Sequence, residues 1–111
     1  MAQNIKLIVY PVKNVQEAKV FYGKFLGIEP YADSPYYVGF KPTDDLEIGL
    51  DPNSQEIVSY IEVTDIENDL QALVAAGATL HQASKDVGGG MLIAQVKDAG
   101  GNTLGLRQLP Q

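Results

Sequence analysis

Hydrophobic positions recur with two different periods along the chain, and these periods predict alternating strands and helices. Residues 5–9 are an apolar run rich in β-branched side chains that ends near Pro11, which is typical of a buried strand. Asn14 and Glu17 have the spacing of a helix N-cap and the carboxylate that accompanies it. Gly27 is expected to end this helix in the left-handed conformation. The apolar face of the predicted helix is formed by Val15, Ala18, Tyr22, Phe25 and Leu26.

Short extended segments follow this helix. Residues 36–40 read as a strand, residues 41–45 have turn chemistry, and residues 46–50 alternate strictly between apolar and other side chains. Tyr36 and Tyr37 are adjacent on the first of these strands and should therefore face opposite sides. We expect one of them to pack in the core and the other to lie on the open face.

The same order of elements then starts again. Residues 57–63 predict a strand, Asp65 is a candidate N-cap, and residues 78–81, 91–96 and 103–107 are expected to be extended. The second helix is amphipathic, with its face formed by Ile66, Leu70, Leu73, Val74 and Gly77.

The two halves of the chain match in kind and order, which indicates an internal duplication. Residues 12–15 correspond to residues 63–66, and residues 48–50 correspond to residues 104–106. We therefore predict one α+β domain over residues 1–111, made of two βαβββ modules at about 1–53 and 54–111. The length of 111 residues is that of a single domain.

Three segments of the sequence resemble a known family when taken in order. They are residues 12–27, residues 63–77 and the turn at residues 98–102. Together they resemble the glyoxalase/bleomycin-resistance protein/dioxygenase (vicinal oxygen chelate) superfamily, over nearly the whole chain. The resemblance implies paired βαβββ modules with curved mixed sheets that form a cleft, and helices on the outer face.

The resemblance also implies where a metal ion would be held in the enzymes of this family. Their ligands, typically histidine and glutamate, fall at Leu7, Gly49, Val58 and Gly105 in this sequence. Leucine and valine side chains have no lone pair and glycine has no side chain, so none of the four can bind a divalent ion. His81 is the only histidine and lies away from these positions. We therefore expect no metal and no cofactor, and metal-dependent catalysis is disfavoured.

Strand parity extends the four positions to a set of side chains on one face. With Tyr37 as an aromatic floor, the predicted ligand-binding cleft comprises Leu7, Val9, Tyr37, Glu47, Gly49, Asp51, Val58, Tyr60, Glu62, Gly105 and Arg107, with Ile5 and Thr103 at its ends. The two glycines are expected to widen the cleft. The helix-facing set is almost wholly apolar and comprises Ile8, Leu46, Ile48, Leu50, Ile57, Ile61, Val63, Leu104 and Leu106. No catalytic residue is assigned.

Composition excludes several functional classes. The chain has no cysteine, which removes disulfides, zinc–thiolate sites and cysteine nucleophiles. Its net charge of −6 argues against nucleic acid and anionic membranes as partners. No apolar run is long enough to span a bilayer, and no basic region precedes an apolar stretch at the N-terminus, so the expected location is the cytoplasm.

Three functions stay open at this point. The first is metal-independent binding of a small organic molecule in the inter-module cleft. The second is an enzyme of lyase, isomerase or dioxygenase type that uses Glu47 or Glu62 in acid–base chemistry, or an atypical metal site built from Glu47, Asp51 and Glu62. The third is a subunit that acts through protein contacts alone. A homodimer is expected because Ile5, Leu7, Val9 and Val58 would leave an apolar cleft face in water, and the resemblance leaves open whether clefts form within one chain or across two.

Overall fold

The computed structural model describes residues 4–111, which divide into two compact units. The first unit, residues 6–58, is called the first module here. It contains, in chain order, β1 (Ile5–Pro11), α1 (Val15–Leu26), β2 (Ala32–Ser34), β3 (Tyr37–Thr43) and β4 (Leu46–Asp51). The strands run in the order β2-β3-β4-β1, and β1 is parallel to β4 while the other neighbours are antiparallel. This is a βαβββ module.

The second unit, called the second module, comprises residues 4–5 and 59–111. Its elements are β5 (Val58–Glu62), α2 (Ile66–Ala75), β6 (Thr79–Asp86), β7 (Leu92–Lys97) and β8 (Thr103–Gln108). The strand order is β5-β8-β7-β6, with β5 parallel to β8 and the other neighbours antiparallel. The α+β fold class and the repeated βαβββ order predicted from the sequence are thus confirmed.

Helix α1 begins and ends where its sequence predicts. The side chain of Asn14 accepts a hydrogen bond from the backbone N–H of Glu17 at 3.0 Å, and Gly27 has a φ of 72° with its N–H bonded to the carbonyl of Gly23. The helix packs on a core of Val15, Val38, Phe40 and Leu50, with Tyr10, Val12, Ala18, Tyr22, Leu26, Ile28 and Ile48 around it. Phe25 was wrongly assigned to the buried face, since its side chain is 84% exposed.

Helix α2 repeats this arrangement. The side chain of Asp65 accepts a hydrogen bond from the N–H of Asn68 at 3.1 Å, and the helix ends at Ala75, two residues before Gly77. It packs on a core of Val63, Ile66, Leu70, Ala94, Val96 and Leu106, with Ile61, Leu73, Ala78, Leu92 and Leu104 around it. Val74 is exposed and lies outside this core. Neither helix of residues 4–111 is long and apolar enough to cross a membrane.

The duplication extends to backbone hydrogen bonds beside each helix. The N–H of Val12 donates to the carbonyl of Asp51 at 3.2 Å, and the N–H of Val63 donates to the carbonyl of Arg107 at 2.8 Å. These pairs occupy corresponding positions, because residues 12 and 63 each stand two residues before an N-cap. Each bond ties the chain entering a helix to the last strand of the same module.

Four strand-level predictions need correction. The sequence did not indicate β2, and β6 runs to Asp86 rather than ending at His81. Tyr36 precedes β3 and is 74% exposed, so it does not pack in the core. Ile57 precedes β5 and is exposed, so it does not belong to the helix-facing set. Tyr36 and Ile57 each lie in a connection rather than in a strand, and neither is covered by a helix.

Candidate functional site

The register of the strands decides which side chains lie away from the helices. Ile48 and Leu50 of β4 belong to the α1 core, and Leu104 and Leu106 of β8 belong to the α2 core. Because successive side chains on a strand point to opposite faces, the residues between and beside them lie on the other face. These are Glu47, Gly49 and Asp51 in β4, and Thr103, Gly105 and Arg107 in β8. The predicted register is therefore confirmed on both strands.

Tyrosine rings cover the bare backbone of the first module on this face. Val9, Gly49 and Gly39 pair across β1, β4 and β3 and form a row. A Cβ atom added to Gly49 would lie 2.1 Å from the hydroxyl oxygen of Tyr37, and one added to Gly39 would lie 2.7 Å from the ring of Tyr31. Glycine is required at both positions because only a residue without Cβ leaves room for these rings.

Glu47 and Tyr31 form a polar contact on this face. The hydroxyl of Tyr31 donates to Oε1 of Glu47 at 2.5 Å. The carboxylate is half-buried, whereas the tyrosine is largely exposed. The backbone N–H of Tyr31 donates to the carbonyl of Gly39 at 2.9 Å, which holds the ring at the edge of the sheet.

The second module repeats the tyrosine-on-glycine arrangement with different residues. Tyr60 pairs with Gly105 across β5 and β8, and a Cβ atom added to Gly105 would lie 2.4 Å from the Tyr60 ring. Gln95, the neighbour of Gly105 on β7, donates from Nε2 to the Tyr60 hydroxyl at 2.9 Å. Tyr60 is buried, so this hydrogen bond orients a ring that has little freedom to move.

Next to this tyrosine lies a buried ion pair. Nη2 of Arg107 is 3.0 Å from Oε1 of Glu62, on paired positions of β8 and β5. Arg107 is 4% exposed and Glu62 is half-buried. Removing one partner of such a pair would leave a charge in a poorly hydrated place, which is costly. The pair therefore fixes the polar end of the second-module face.

The four positions at which the resemblance predicted metal ligands do not fit a metal. Leu7 and Val58 are buried apolar side chains, and the space over Gly49 and Gly105 is filled by tyrosine rings. The glycines thus do not widen a cleft, as the sequence had suggested. They seat aromatic rings where metal-binding carboxylates would stand.

The atypical metal site considered for Glu47, Asp51 and Glu62 is not formed either. Within residues 4–111 no group of three histidine, cysteine, aspartate or glutamate side chains is arranged to hold an ion. Glu47 accepts from Tyr31 and Glu62 pairs with Arg107. Oδ1 of Asp51 accepts from the N–H of Asn53 at 2.8 Å, which closes the turn after β4. Asp51 thus has a structural contact that accounts for its position.

The strand register sets Leu7 beside Glu47 and Val9 beside Gly49, on the face opposite Ile48 and Leu50, and it also brings in three residues that were not predicted from the sequence. Tyr31 lies in a connection whose path the sequence does not determine, and Gly39 becomes informative only once the register of β3 is known. Gln95 could have been predicted from the sequence. Side chains of residues 92–97 alternate between the two faces of the strand, and Ala94 and Val96 are the core positions. The structure brings Tyr37 to Gly49, Tyr60 to Gly105, and Glu62 to Arg107.

Asp98, in the turn before β8, is a carboxyl group whose pKa is shifted. Hydrogen bonds from the side chain and then the backbone N–H of Asn102 lower the pKa of Asp98 below its ordinary value of 3.8, because they stabilise the ionised form. The same carboxylate accepts from both atoms at 2.9–3.2 Å. This group shapes a turn and lies apart from the tyrosine-covered faces.

Solved structures with the same fold are distant in sequence. A hypothetical protein from Bacillus halodurans C-125 superposes with a TM-score of 0.81 at 15% identity, covering 100% of this chain and 97% of that one. A glyoxalase/bleomycin resistance protein/dioxygenase superfamily member from Vibrio splendidus 12B01 gives 0.70 at 18%, covering 96% and 98%. Methylmalonyl-CoA epimerase from Mycobacterium tuberculosis gives 0.74 at 13%, covering 96% and 87%. These likenesses concern the fold alone.

Family membership rests on the sequence itself. No curated protein matches the chain closely enough to count as a relative. The family model described as the glyoxalase/bleomycin resistance protein/dioxygenase superfamily matches residues 4–106, which is nearly the whole chain. This chain therefore belongs to the glyoxalase/bleomycin resistance protein/dioxygenase superfamily.

Proposed function

We propose that this protein binds a small organic molecule, without a metal ion, on the sheet faces that lie opposite the helices. The observation that carries the proposal is the replacement of the family's metal-binding positions by Leu7, Gly49, Val58 and Gly105, with tyrosine rings seated over both glycines. The inter-module cleft implied by family membership stays a prediction.

The side chains on these faces suit a planar molecule with a few polar groups. Tyr31 and Tyr37 offer aromatic surface, which stacks favourably on flat rings. Glu47 accepts hydrogen bonds, and Gln95 can donate or accept them. Ligand sites of soluble proteins commonly combine apolar walls with a small number of fixed polar groups of this kind.

Tyrosine fluorescence can test the proposal directly. The chain has six tyrosines and no tryptophan, so the emission comes from tyrosine alone. A panel of small aromatic and heterocyclic compounds would first be screened by thermal shift and then titrated while tyrosine emission is followed. We expect a binding compound to lose affinity about tenfold or more in Tyr37→Leu and in Glu47→Gln, because each substitution removes a contact with the compound. A tenfold loss of affinity corresponds to about 1.4 kcal/mol of binding free energy.

Tyr36→Leu is the matched control, since Tyr36 is adjacent in sequence but exposed outside β3. Equal loss of affinity in Tyr36→Leu and Tyr37→Leu would contradict the assignment to this face. So would a bound compound whose affinity changes in neither Tyr37→Leu nor Glu47→Gln.

A second candidate is an acid–base enzyme, which the contact between Tyr31 and Glu47 favours. A carboxylate held by a phenol at 2.5 Å is a pair in which a proton could be taken from or returned to a substrate. Proton exchange at an activated C–H bond of a carbonyl compound in D2O, followed by NMR, would detect this activity. Exchange abolished by Glu47→Gln and reduced by Tyr31→Phe supports it. Exchange that is unchanged in Glu47→Gln contradicts it.

Self-association also remains a proposal, although most of the apolar face that was expected to drive it is not exposed. Leu7, Val9 and Val58, which were expected to leave an apolar face in water, are all buried within the chain. Of the four residues named for that face, Ile5 is exposed. If two copies associate, a different surface must therefore form the interface.

A further inference from the structure

A groove separates helix α2 from strand β6 on the helix side of the second module. Its volume of about 440 Å³ is within the range of small-molecule sites. Leu70, Val74 and Ala75 of α2 form one wall, and Leu80 and Ala83 of β6 form the other. Val74 and Leu80 are 46% and 50% exposed. The groove therefore offers a partly exposed apolar surface to a molecule of small size.

The end of the groove beside the start of α2 is polar. Glu67 lines it from α2, on the same side of the helix as Leu70 and Val74, and Ser84 lines it from β6. The hydroxyl of Ser84 donates to Oε1 of Glu67, which holds the carboxylate at the groove. Within residues 4–111 Glu67 forms no ion pair, and no lysine or arginine lines the groove. The negative charge of Glu67 is thus not balanced by a cation of the described chain.

The first module differs at the corresponding place. Its edge strand β2 is three residues long, and Oδ2 of Asp33 on this strand lies 2.5 Å from Nζ of Lys19 on α1. The edge strand β6 is eight residues long, and its contact with α2 is made by the hydroxyl of Ser84 instead of a cation. The second module therefore has a longer wall beside its helix and a carboxylate that can accept a cation from outside the chain.

We propose that this groove binds a small hydrophobic amine, with its ammonium group at Glu67 and Ser84 and its apolar body along Val74 and Leu80. An ammonium group has three donors, and the carboxylate and hydroxyl oxygens can accept from them. Glu67 and Val74 are seven residues apart, which is about 10 Å along the helix axis. The apolar body is therefore about the length of a phenylpropyl group or a hexyl chain.

Charge around the groove favours a cation over an anion. Asp65 and Glu67 are both at the start of α2, and together they outweigh the partial positive charge of roughly one half that a helix N-terminus carries. The net charge of −6 adds to this preference over longer distances. The site is independent of the proposed function, because the groove lies on the helix side of the sheet and the ligand-binding faces proposed above lie on the other side.

Titration of the ¹⁵N-labelled whole chain with phenylpropylamine, followed by NMR, would test the site. Phenylpropanol and phenylpropionate have similar apolar bodies with a neutral and an anionic head, so they isolate the effect of the charge. We expect the amine to shift the amide signals of residues 67–75 and 80–84. We expect it to bind at least about threefold more tightly than the alcohol, which is within the strength of an exposed ion pair, and the carboxylate to bind more weakly than either.

Variants separate the two parts of the site. Glu67→Gln should remove the preference for the amine and keep the binding of the alcohol, since glutamine retains the shape and an acceptor for Ser84. Val74→Gln should weaken both compounds at least about threefold, because it removes apolar surface from the wall. Glu17→Gln and Val20→Gln are the matched controls, since they make the same changes at exposed positions of α1. The NMR spectrum of each free variant shows whether it is folded.

Four outcomes would overturn the inference. No shift with the amine up to about 10 mM, well above a millimolar dissociation constant, means that the groove is not a site for it. Shifts confined to the sheet faces opposite the helices overturn the groove while leaving the proposed function standing. A preference for the amine that persists in Glu67→Gln overturns the role of the carboxylate. A loss of affinity in Val20→Gln as large as in Val74→Gln overturns the assignment of the apolar body to the wall of α2.

Discussion

Tyrosines seated on glycines are the feature that most changes the chemistry of this chain at the scale of single residues. Gly49 and Gly105 stand at two of the positions predicted for metal ligands, and the rings of Tyr37 and Tyr60 occupy the space above them. A glycine opposite an aromatic ring on a neighbouring strand is a known way to bury that ring against backbone. In each module the glycine and the ring seated on it therefore form one packing arrangement.

Gly49→Ala should destabilise the protein although it adds only a methyl group. The new Cβ would lie 2.1 Å from the Tyr37 hydroxyl, so the ring must move out of its place. Overpacking of this kind typically costs about 1–3 kcal/mol, which urea unfolding would measure. Adding Tyr37→Ser should make the Gly49→Ala substitution nearly harmless, because the clash disappears.

Gly23→Ala is the matched control for this experiment. Gly23 lies inside α1, and a Cβ atom there meets its nearest neighbours at 3.6 Å, an ordinary contact. We expect this substitution to stabilise the protein by about 0.5–1 kcal/mol, since glycine is unfavourable within a helix. If Gly49→Ala were as well tolerated as Gly23→Ala, the ring of Tyr37 would not be held over Gly49.

The lowered pKa of Asp98 predicts that the turn before β8 contributes less to the stability of the protein at acid pH than at neutral pH. Its pKa is lowered in the folded state, so the ionised carboxylate stabilises the fold above the ordinary value of 3.8. That contribution is lost as the pH falls from 3.8 through the lowered folded-state pKa. The stability difference between wild type and Asp98→Ala should be constant from neutral pH to about 5 and should shrink below 3.8.

Thermal unfolding at a series of pH values would measure this difference for Asp98→Ala. Asn102→Ala removes the largest cause of the shift and should therefore show a weaker dependence on pH over the same range. A difference between wild type and Asp98→Ala that persists unchanged at pH 2 would show that the carboxylate charge is not what stabilises the turn.

At the scale of elements, the parts of the fold with local causes were predictable from the sequence. The caps at Asn14 and Asp65 and the left-handed Gly27 depend on side chains and backbone preferences within a few residues. Strand β2 was missed because three residues are too few to show a period. The exposure of Phe25 was also missed, since helical spacing alone does not reveal how wide a face the sheet covers.

The same limit applies to the candidate site. Parity could separate Glu47 and Gly49 from the helix-facing positions, because one strand contains both the apolar and the polar positions. Which ring lies over which glycine depends on contacts between β3 and β4, or between β5 and β8. Those contacts are set by the register of separate strands, which no single segment of sequence determines.

The two N-caps should contribute similar amounts to stability. Asn14→Ala and Asp65→Ala each remove an acceptor for a backbone N–H at the start of a helix, at 3.0 and 3.1 Å. Each is expected to cost about 0.5–2 kcal/mol in urea unfolding. Asn14→Asp and Asp65→Asn keep the acceptor and are expected to cost much less. A loss as large in these conservative variants as in the alanine variants would argue against capping as the cause.

At the scale of the whole molecule, the chain belongs to the superfamily, but the side chains of residues 4–111 do not form a group that could hold a metal ion. The family model matches residues 4–106, and the likeness to solved structures extends over nearly the whole chain. Fold is shared among proteins with many functions, whereas activity depends on particular side chains. Here the chain has the fold of the superfamily, while Leu7, Gly49, Val58 and Gly105, the positions predicted for metal ligands, have side chains that cannot bind a metal.

The prediction at this scale concerns the metal content of the purified protein. Leu7, Gly49, Val58 and Gly105 offer no donor atoms from their side chains, and a divalent ion needs several nitrogen or oxygen ligands. We expect elemental analysis of protein purified without chelator to find well below one equivalent of zinc, nickel, iron or manganese per chain. Addition of these ions or of a chelator should leave the melting temperature unchanged, because only a ligand that binds the folded state stabilises it. One tightly held ion per chain, removable by chelator with loss of stability, would contradict the metal-independent binding proposed for this protein, and repeating the measurement on Glu47→Gln and Glu62→Gln would show whether those carboxylates hold the ion.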